Sequence, residues 1–112
     1  MSLNSEVAAF LDLVEDSQNG AFHQGTPEQA REAFERSSQQ MRWDVPDVEV
    51  SEVRHLARDG AELTLRLYRP LHRGGVLPVL LFLHGGGFVV GSLDSHDGIC
   101  REFCARTPCA VL

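Results

Sequence analysis

Hydrophobic residues in the first forty positions recur at the spacing of α-helices. Between Ser5 and Ser17, apolar side chains repeat every three or four positions, and acidic side chains occupy the opposite face. A second helix is predicted to start after Thr26, because Pro27 suits the first helical position and Gln29 can complete a capping box. Both helices are amphipathic and short, so each is expected to pack on another part of the protein.

From Val48 the period changes to the two-residue alternation of β-strands. Two alternating runs flank Asp59-Gly60, a dipeptide typical of hairpin turns. Their apolar positions are Val48, Val50 and Val53, then Leu63, Leu65 and Leu67. The two runs predict an antiparallel strand pair with one face in solvent.

The second half of the chain predicts buried strands separated by a helix. The run from Val79 to Leu83 is apolar at every position, as expected of a strand covered on both faces of a mostly parallel sheet. A glycine-rich loop follows, then a helix from about Ser95 to Arg106 with Ser95 or Asp94 as its cap. Residues 109–112 indicate another buried strand. We therefore expect the chain to stop inside an element, at a truncation or cleavage point, since an unpaired strand leaves backbone groups unsatisfied.

Composition argues against several classes of function. The 112 residues carry a formal net charge of -6, whereas phosphate binding needs clustered Lys and Arg, so no nucleic-acid partner is expected. No apolar run is long enough to span a bilayer, and the N-terminus lacks the basic and apolar regions of a secretory signal. The 3 cysteines, an odd number, do not suggest a disulfide framework, so a cytoplasmic location is expected.

The stretch with the clearest chemistry is His84-Gly85-Gly86-Gly87-Phe88, directly after the predicted buried strand. Acyl transfer places negative charge on the former carbonyl oxygen, and an enzyme needs hydrogen-bond donors already aimed at that position. Consecutive glycines expose backbone N–H groups and allow a substrate to approach closely. At the end of a central strand, such donors lie at the edge where ligands bind in open α/β sheets.

A strand followed by this pentapeptide resembles the oxyanion loop of the α/β-hydrolases, and the next residues are similar to the hormone-sensitive-lipase branch of esterases and lipases. That branch typically has a glycine a few residues on, a Thr-His-Asp-like triplet, and often Cys-Arg on the next helix. The matching residues here are Gly91, Ser95-His96-Asp97 and Cys100-Arg101, with Ser95 in place of the usual threonine. The order of helices and strands fits the branch along the whole chain.

The resemblance implies a three-layer α/β-hydrolase fold, of which this chain is the N-terminal part. Residues 1–45 would form a helical cap segment, and residues 46–112 the first strands, oxyanion loop and first helix of the core. The intact protein would be a serine carboxylesterase or lipase that needs no cofactor and acts on small-molecule esters. The resemblance leaves open whether the protein forms a homodimer. Cap helices of this branch roof the acyl pocket, so Phe10, Phe22 and Phe34 are candidates for influencing chain-length preference.

The family's roles transfer to individual residues of the pentapeptide. The N–H groups of Gly86 and Gly87 would donate to the oxyanion. His84 would hold the shape of the loop without acting as the base, and Phe88 would line the acyl or alcohol pocket. The nucleophile elbow Gly-x-Ser-x-Gly, the acidic residue and the catalytic histidine come later in the family's chain order. No Gly-x-Ser-x-Gly occurs in these 112 residues, so the chain alone is predicted to be inactive and to need the remaining C-terminal part of the hydrolase.

Other interpretations of the same residues are weaker. The glycine spacing does not match a dinucleotide loop, and no lysine follows for a phosphate-binding P-loop. Ser95, His96 and Asp97 are sequence neighbours whose side chains point in different directions, so they are not expected to form a catalytic triad. His96, Cys100 and Cys104 share a helix face that could hold zinc, but cysteines commonly pack as small apolar residues, and no metal is expected.

Two functional alternatives stay open at this point. Hormone receptors of plants share the fold and the His-Gly-Gly-Gly loop, yet they bind a ligand without turning it over, because they lack the catalytic histidine. The 112-residue chain could also be an inert remnant or half of a split protein. In that case the unfinished strand at its end predicts aggregation or poor order when the chain is expressed alone.

Overall fold

The computed structural model describes residues 3–16 and 24–112, and the described residues form three α-helices and four β-strands. In chain order these are α1 (Ser5–Asp16), α2 (Pro27–Gln40), β1 (Glu49–Leu56), β2 (Glu62–Arg69), β3 (Val79–Leu80), α3 (Asp97–Arg106) and β4 (Ala110–Val111). The predicted order of two helices, a strand pair, a strand, a helix and a last strand is confirmed.

The two N-terminal helices begin where the sequence predicts but differ in packing. The Thr26 hydroxyl accepts from the Gln29 N–H at 3.3 Å, and the Gln29 side chain accepts from the Thr26 N–H at 2.9 Å, which confirms the capping box of α2. One residue of α2, Ala30, is buried. By contrast, the apolar stripe of α1 remains 42–48% exposed at Val7, Phe10, Leu11 and Val14. Against the rest of the described residues, the expected burial of the apolar stripe is therefore found in part for α2, whereas the α1 stripe stays about half exposed.

The sheet has the strand order β1-β2-β4-β3. The β1–β2 hairpin is antiparallel over its whole length, as predicted, and its turn contains Asp59-Gly60. Gly60 has a φ of 86° and its N–H donates to the Ala57 carbonyl at 2.9 Å, while the Asp59 carboxylate accepts from the Ala61 N–H. The turn residues therefore fix the register of the hairpin.

Parallel pairing begins on the other side of β2. One antiparallel contact, Tyr68 opposite Val111, joins β2 to β4, and β4 runs parallel to β3. The Phe82 N–H donates to the Leu112 carbonyl at 2.7 Å, which extends the β3–β4 hydrogen bonds beyond the two assigned residues of each strand. The chain from β3 through α3 to β4 is thus a βαβ unit attached to a hairpin.

The core lies between the sheet and α3. It consists of the buried residues Val48, Tyr68, Cys100, Cys104 and Val111, with Leu80 and Phe82 packed against them. Cys100 and Cys104 are 6% and 0% exposed, so these two cysteines serve as core residues, which the sequence favoured over metal ligation.

The opposite face of the sheet is open in the described part of the chain. Leu81 and Leu83 are 64% and 81% exposed, and Val53 and Leu63 of the hairpin are more than 45% exposed. Within the described residues, the predicted cover of β3 is therefore found on one face only. The reason is that α3 is the one described helix that packs on the strands, and it covers a single face.

Candidate active site

The glycine loop, defined as residues 84–91, follows the carboxyl end of β3 and leads toward α3. It starts two residues after Phe82, whose N–H makes the last hydrogen bond between the segment that follows β3 and the β4 segment. In open α/β sheets, ligands bind at this end of the parallel strands. The loop therefore occupies the edge of the sheet that the sequence indicated.

The conformation of the glycine loop requires glycine at two positions. Gly86 has a φ of 137°, and a Cβ placed there would lie 1.9 Å from the Val90 carbonyl oxygen. Gly91 has a φ of 99°, and its Cβ would lie 2.7 Å from His84 Nδ1. The N–H groups of Val89 and Val90 both donate to the Gly86 carbonyl oxygen at 3.0 Å. These two hydrogen bonds close the turn on Gly86, its first residue, and leave no room for a side chain at that position.

Phe88 adopts a backbone conformation that is costly for a residue with a side chain. Its φ is 60°, next to a φ of 59° at Gly87, and the left-handed region costs a non-glycine residue about 1–2 kcal/mol. The Phe88 side chain is fully exposed. It borders a surface depression lined by Arg31 and by the glycine loop. Strain of this kind persists only where the surrounding structure holds it.

The N–H groups of Gly86 and Gly87 donate to no acceptor within residues 3–16 and 24–112. The N–H groups of Gly85 and Phe88 also have no acceptor in these ranges, so four consecutive donors face no protein oxygen. Backbone donors are nearly always paired with protein or solvent, so such a run beside a depression can serve a bound oxygen. Gly87 is exposed and Gly86 is half-buried. The arrangement is chemically suited to an oxygen that carries negative charge.

His84 holds two contacts at the start of the loop. Its Nδ1 lies 2.8 Å from the Gly85 carbonyl oxygen, which can only accept, so Nδ1 is the protonated nitrogen in this contact. Its ring stacks on that of His96 with centroids 4.9 Å apart and an interplanar angle of 25°. The imidazole thus bridges the glycine loop and the residue before α3.

Helix α2 contacts the glycine loop directly. The Arg31 Nε donates to the Val89 carbonyl oxygen at 2.8 Å, and the Phe34 ring stacks on His96 with centroids 6.2 Å apart. Arg31 was missed by the sequence reasoning, because its contact joins residues 58 positions apart and no local pattern reports it. The sequence gives one indirect indication of Arg31: it lies three residues before Phe34, which places the two side chains on the same helix face.

The three phenylalanines expected near the acyl pocket have different outcomes. Phe34 stacks on His96, which in turn stacks on His84 of the loop. Phe10 lies on α1 and is 48% exposed. Phe22 falls outside the described residues.

Ser95, His96 and Asp97 do not form a triad. The Ser95 hydroxyl lies 3.1 Å from His96 Nδ1, but it also donates to the Ser92 carbonyl, and the Asp97 carboxylate binds other residues. The predicted capping of α3 by Ser95 or Asp94 is wrong. The N-cap is His96, without a side-chain cap, because Ser95 is engaged in the turn that begins at Ser92.

Asp97 is the centre of the β2–α3 network, defined as Arg66, Tyr68, Asp97 and Arg101. The carboxylate accepts from the Tyr68 hydroxyl at 2.9 Å and from the Arg101 Nε at 2.6 Å, and Arg66 Nη1 lies 3.3 Å away. Burial raises the pKa of Asp97, but hydrogen bonds from Arg101 and Tyr68 outweigh it, so this pKa lies below its ordinary value. Burial, followed by the hydrogen bond to Asp97, raises the pKa of Tyr68.

The two buried cysteines of α3 have the properties of core residues. Burial raises the pKa of the Cys100 and Cys104 thiols, which disfavours the thiolate that metal binding requires. In the described ranges, no three His, Cys, Asp or Glu side chains are grouped to hold a metal ion. Among the same residues, none of the helices has the length and apolar character needed to cross a membrane.

Comparison with known proteins agrees with this geometry. Residues 80–112 match a family model described as the alpha/beta hydrolase fold. An ethyl acetate hydrolase from Pseudomonas putida is 44% identical over 108 residues, which cover 89% of this chain and 34% of that protein.

Solved structures give the same result at the level of the fold. An ester hydrolase from the metagenome of Lake Arreo superposes with a TM-score of 0.88 at 33% identity, covering 98% of this chain and 36% of the other. A thermostable esterase from Pseudomonas putida gives a TM-score of 0.87 at 28% identity, with coverage of 97% and 34%. The chain thus spans about a third of the length of these relatives. The chain has the N-terminal part of the α/β-hydrolase fold, and the proteins to which it is similar are named ester hydrolases and esterases.

Proposed function

We propose that this chain forms the oxyanion hole of a carboxylic ester hydrolase that acts through a serine nucleophile. The observation that supports the proposal is the run of N–H groups without a protein acceptor from Gly85 to Phe88, in the loop that follows β3. Within this run, the resemblance to the family's oxyanion loop selects Gly86 and Gly87. The ester hydrolases among its relatives support the reaction class. In this proposal, residues 1–45 are a cap segment and residues 46–112 belong to the catalytic core.

The reaction divides between this chain and the continuation of the fold. A serine beyond Leu112, activated by a histidine and an acidic residue, attacks the ester carbonyl and forms a tetrahedral intermediate. The N–H groups of Gly86 and Gly87 donate to its oxyanion, which stabilises the charge that develops in the transition state. Collapse of the intermediate releases the alcohol, and water then hydrolyses the acyl-serine to the acid. No cofactor takes part.

His84 and Phe88 have supporting roles in the proposal. His84 holds the loop through its hydrogen bond to the Gly85 carbonyl and its stack on His96, and it does not act as the base. The exposed Phe88 ring, beside the depression that Arg31 and the loop line, is placed to contact the acyl or alcohol group. Small-molecule esters are therefore the proposed substrates. Acetate esters are the first to test, because the Pseudomonas relative is an ethyl acetate hydrolase.

The test is the intact mass of the purified protein, under denaturing conditions, after exposure to a fluorophosphonate ester. Heat-denatured protein serves as the control, because labelling requires an activated serine. We expect a covalent adduct on a species heavier than 12.4 kDa, or on a separate fragment that co-purifies with this chain, together with hydrolysis of p-nitrophenyl acetate. A heavier species, or a co-purifying fragment, that stays unlabelled would contradict the proposal. A heavier species that binds a small-molecule ester, but neither takes up the label nor releases acid, would favour a ligand-binding role instead.

A further inference from the structure

Arg31 is the polar link between α2 and the glycine loop. Its Nε donates to the Val89 carbonyl oxygen at 2.8 Å, whereas its contact with Glu28 on the same helix is long, at 3.8 Å. The accepting carbonyl belongs to the residue that follows Phe88. The N–H of Val89 donates in turn to the Gly86 carbonyl. Arg31 therefore binds the turn that contains both proposed oxyanion donors.

The turn needs such support because of its backbone. Phe88 has a left-handed φ of 60°, which a phenylalanine adopts only when its surroundings hold it there. On one side, two N–H groups bind the Gly86 carbonyl and close the turn. On the other side, Arg31 holds the Val89 carbonyl. The strained residue is thus fixed from the loop itself and from α2.

A second contact places the same face of α2 against the loop. Phe34, three residues after Arg31, stacks on His96, and His96 stacks on His84 at the start of the loop. The helix therefore reaches the glycine loop at both ends, directly through Arg31 and indirectly through the stacked rings. A change in the position of α2 would be transmitted to the loop backbone.

We propose that Arg31 is a positioning residue of the oxyanion hole, which couples the placement of the N-terminal helix α2 to the orientation of the Gly86 and Gly87 N–H groups. The inference rests on the proposed ester hydrolase function. It assigns α2 a role in the chemical step in addition to covering a pocket. Loss of the Arg31 contact should weaken transition-state stabilisation more than substrate binding, because oxyanion donors act mainly on the transition state.

The experiment compares Arg31→Ala with Arg36→Ala in the full-length protein that contains this chain. Arg36 is a matched control, since it lies on the same helix and contacts Glu32 on that helix at 3.9 Å. For Arg31→Ala we expect kcat to fall by about tenfold or more, since small misplacements of reacting groups are costly, with KM changed by less than about twofold. Arg36→Ala should retain both values. Arg31→Lys, which keeps a cationic donor, should recover part of kcat.

A double-mutant cycle with Phe88→Gly tests the mechanism of the coupling. Glycine adopts a φ of 60° without strain, so the loop should depend less on Arg31 in that background. We expect Arg31→Ala to reduce kcat by a smaller factor in the Phe88→Gly background than in the protein that retains Phe88. Equal factors in the two backgrounds, a loss confined to KM, or equal losses in the Arg31 and Arg36 variants would overturn the proposal.

Hydrogen exchange separates this inference from the proposed function. The Val89 and Val90 amides should exchange at least about fivefold faster in Arg31→Ala than in Arg36→Ala, because looser turns open more often. This measurement needs no activity. If the unaltered protein fails to hydrolyse esters, the proposed function fails, while faster exchange would still support Arg31 as an anchor of the loop. Unchanged exchange would contradict that anchoring whether or not the protein is an esterase.

Discussion

The glycine loop and the β2–α3 network lie on either side of His96 and treat polar groups in opposite ways. In the network, Asp97 is a quarter exposed and binds Tyr68, Arg66 and Arg101. In the loop, the consecutive N–H groups from Gly85 to Phe88 have no acceptor in the described part of the chain, and Phe88 is held in a strained conformation. A region that serves stability satisfies its hydrogen bonds internally, whereas the loop keeps donors free at the cost of strain.

The glycine loop and the β2–α3 network therefore have different roles, although they meet at His96. The network joins α3 to β2 and thereby fixes the position of His96, the N-cap of α3. The loop then stacks on His96 through His84. Substitutions in the loop should therefore reduce activity with little loss of stability, and substitutions in the network should do the reverse.

The largest expected effect is on activity, from Gly86→Ala. A Cβ at this position would meet the Val90 carbonyl oxygen at 1.9 Å, so the turn must open and its N–H groups must move. We expect kcat of the full-length protein with p-nitrophenyl acetate to fall by about 100-fold or more, the usual cost of losing an oxyanion donor.

Gly74→Ala is the matched control for that variant. A Cβ at Gly74 meets no atom within 4 Å, and the residue lies in the loop before β3. Its kcat should stay within about twofold of the unaltered protein, as for most surface substitutions. Comparable losses in the two variants would show that the effect is not specific to the glycine loop.

The second effect is on stability, from Asp97→Ala. Removal of the carboxylate leaves the buried Tyr68 hydroxyl and the half-buried Arg66 without this partner, so the free energy of unfolding should fall by about 2 kcal/mol. Urea denaturation measures this loss. Asp94→Asn is the control, because Asp94 contacts Arg66 but is 67% exposed, and its loss should be about 0.5 kcal/mol. A loss of kcat in Asp97→Ala as large as that of Gly86→Ala would erase the contrast between the two regions.

The smallest effect is a dependence of stability on pH. Because the pKa of Asp97 is lower in the folded protein than its ordinary value, the carboxylate stabilises the fold above that ordinary value, about 4. This contribution is lost as pH falls through the lowered pKa. The difference in unfolding free energy between the unaltered protein and Asp97→Asn should therefore be constant near pH 7 and shrink below about pH 4. A difference that is the same at pH 7 and pH 3 would contradict the network's charge-dependent role.

Local signals in the sequence predicted most of the fold. Thr26-Pro27-Glu28-Gln29 encodes a helix start through contacts between residues three apart, and Asp59-Gly60 encodes a turn, so both could be recognised without the tertiary structure. The cap of α3 was mispredicted because Ser95, a good capping residue, instead bonds Ser92 in a turn whose geometry depends on its surroundings.

The candidate site was predicted only in part, because some of its contacts likewise depend on the tertiary structure. The glycine loop could be identified from contiguous residues and from its resemblance to a family. Arg31 could not, because its contact with Val89 depends on where α2 packs. Likewise, the exposed face of β3 at Leu81 and Leu83 cannot be deduced from an all-apolar run, since the run reports what a strand can bury and not which elements cover it.

The most direct test of the central claim is a crystal structure of the full-length protein carrying a phosphonate on its nucleophilic serine. The phosphonyl oxygen stands in for the oxyanion of the tetrahedral intermediate. The account expects this oxygen to lie 2.7–3.1 Å, roughly the length of a charge-assisted hydrogen bond, from the backbone nitrogens of both Gly86 and Gly87. An adduct whose oxygen is bound by other donors, with both glycine N–H groups more than about 3.5 Å away, would contradict it.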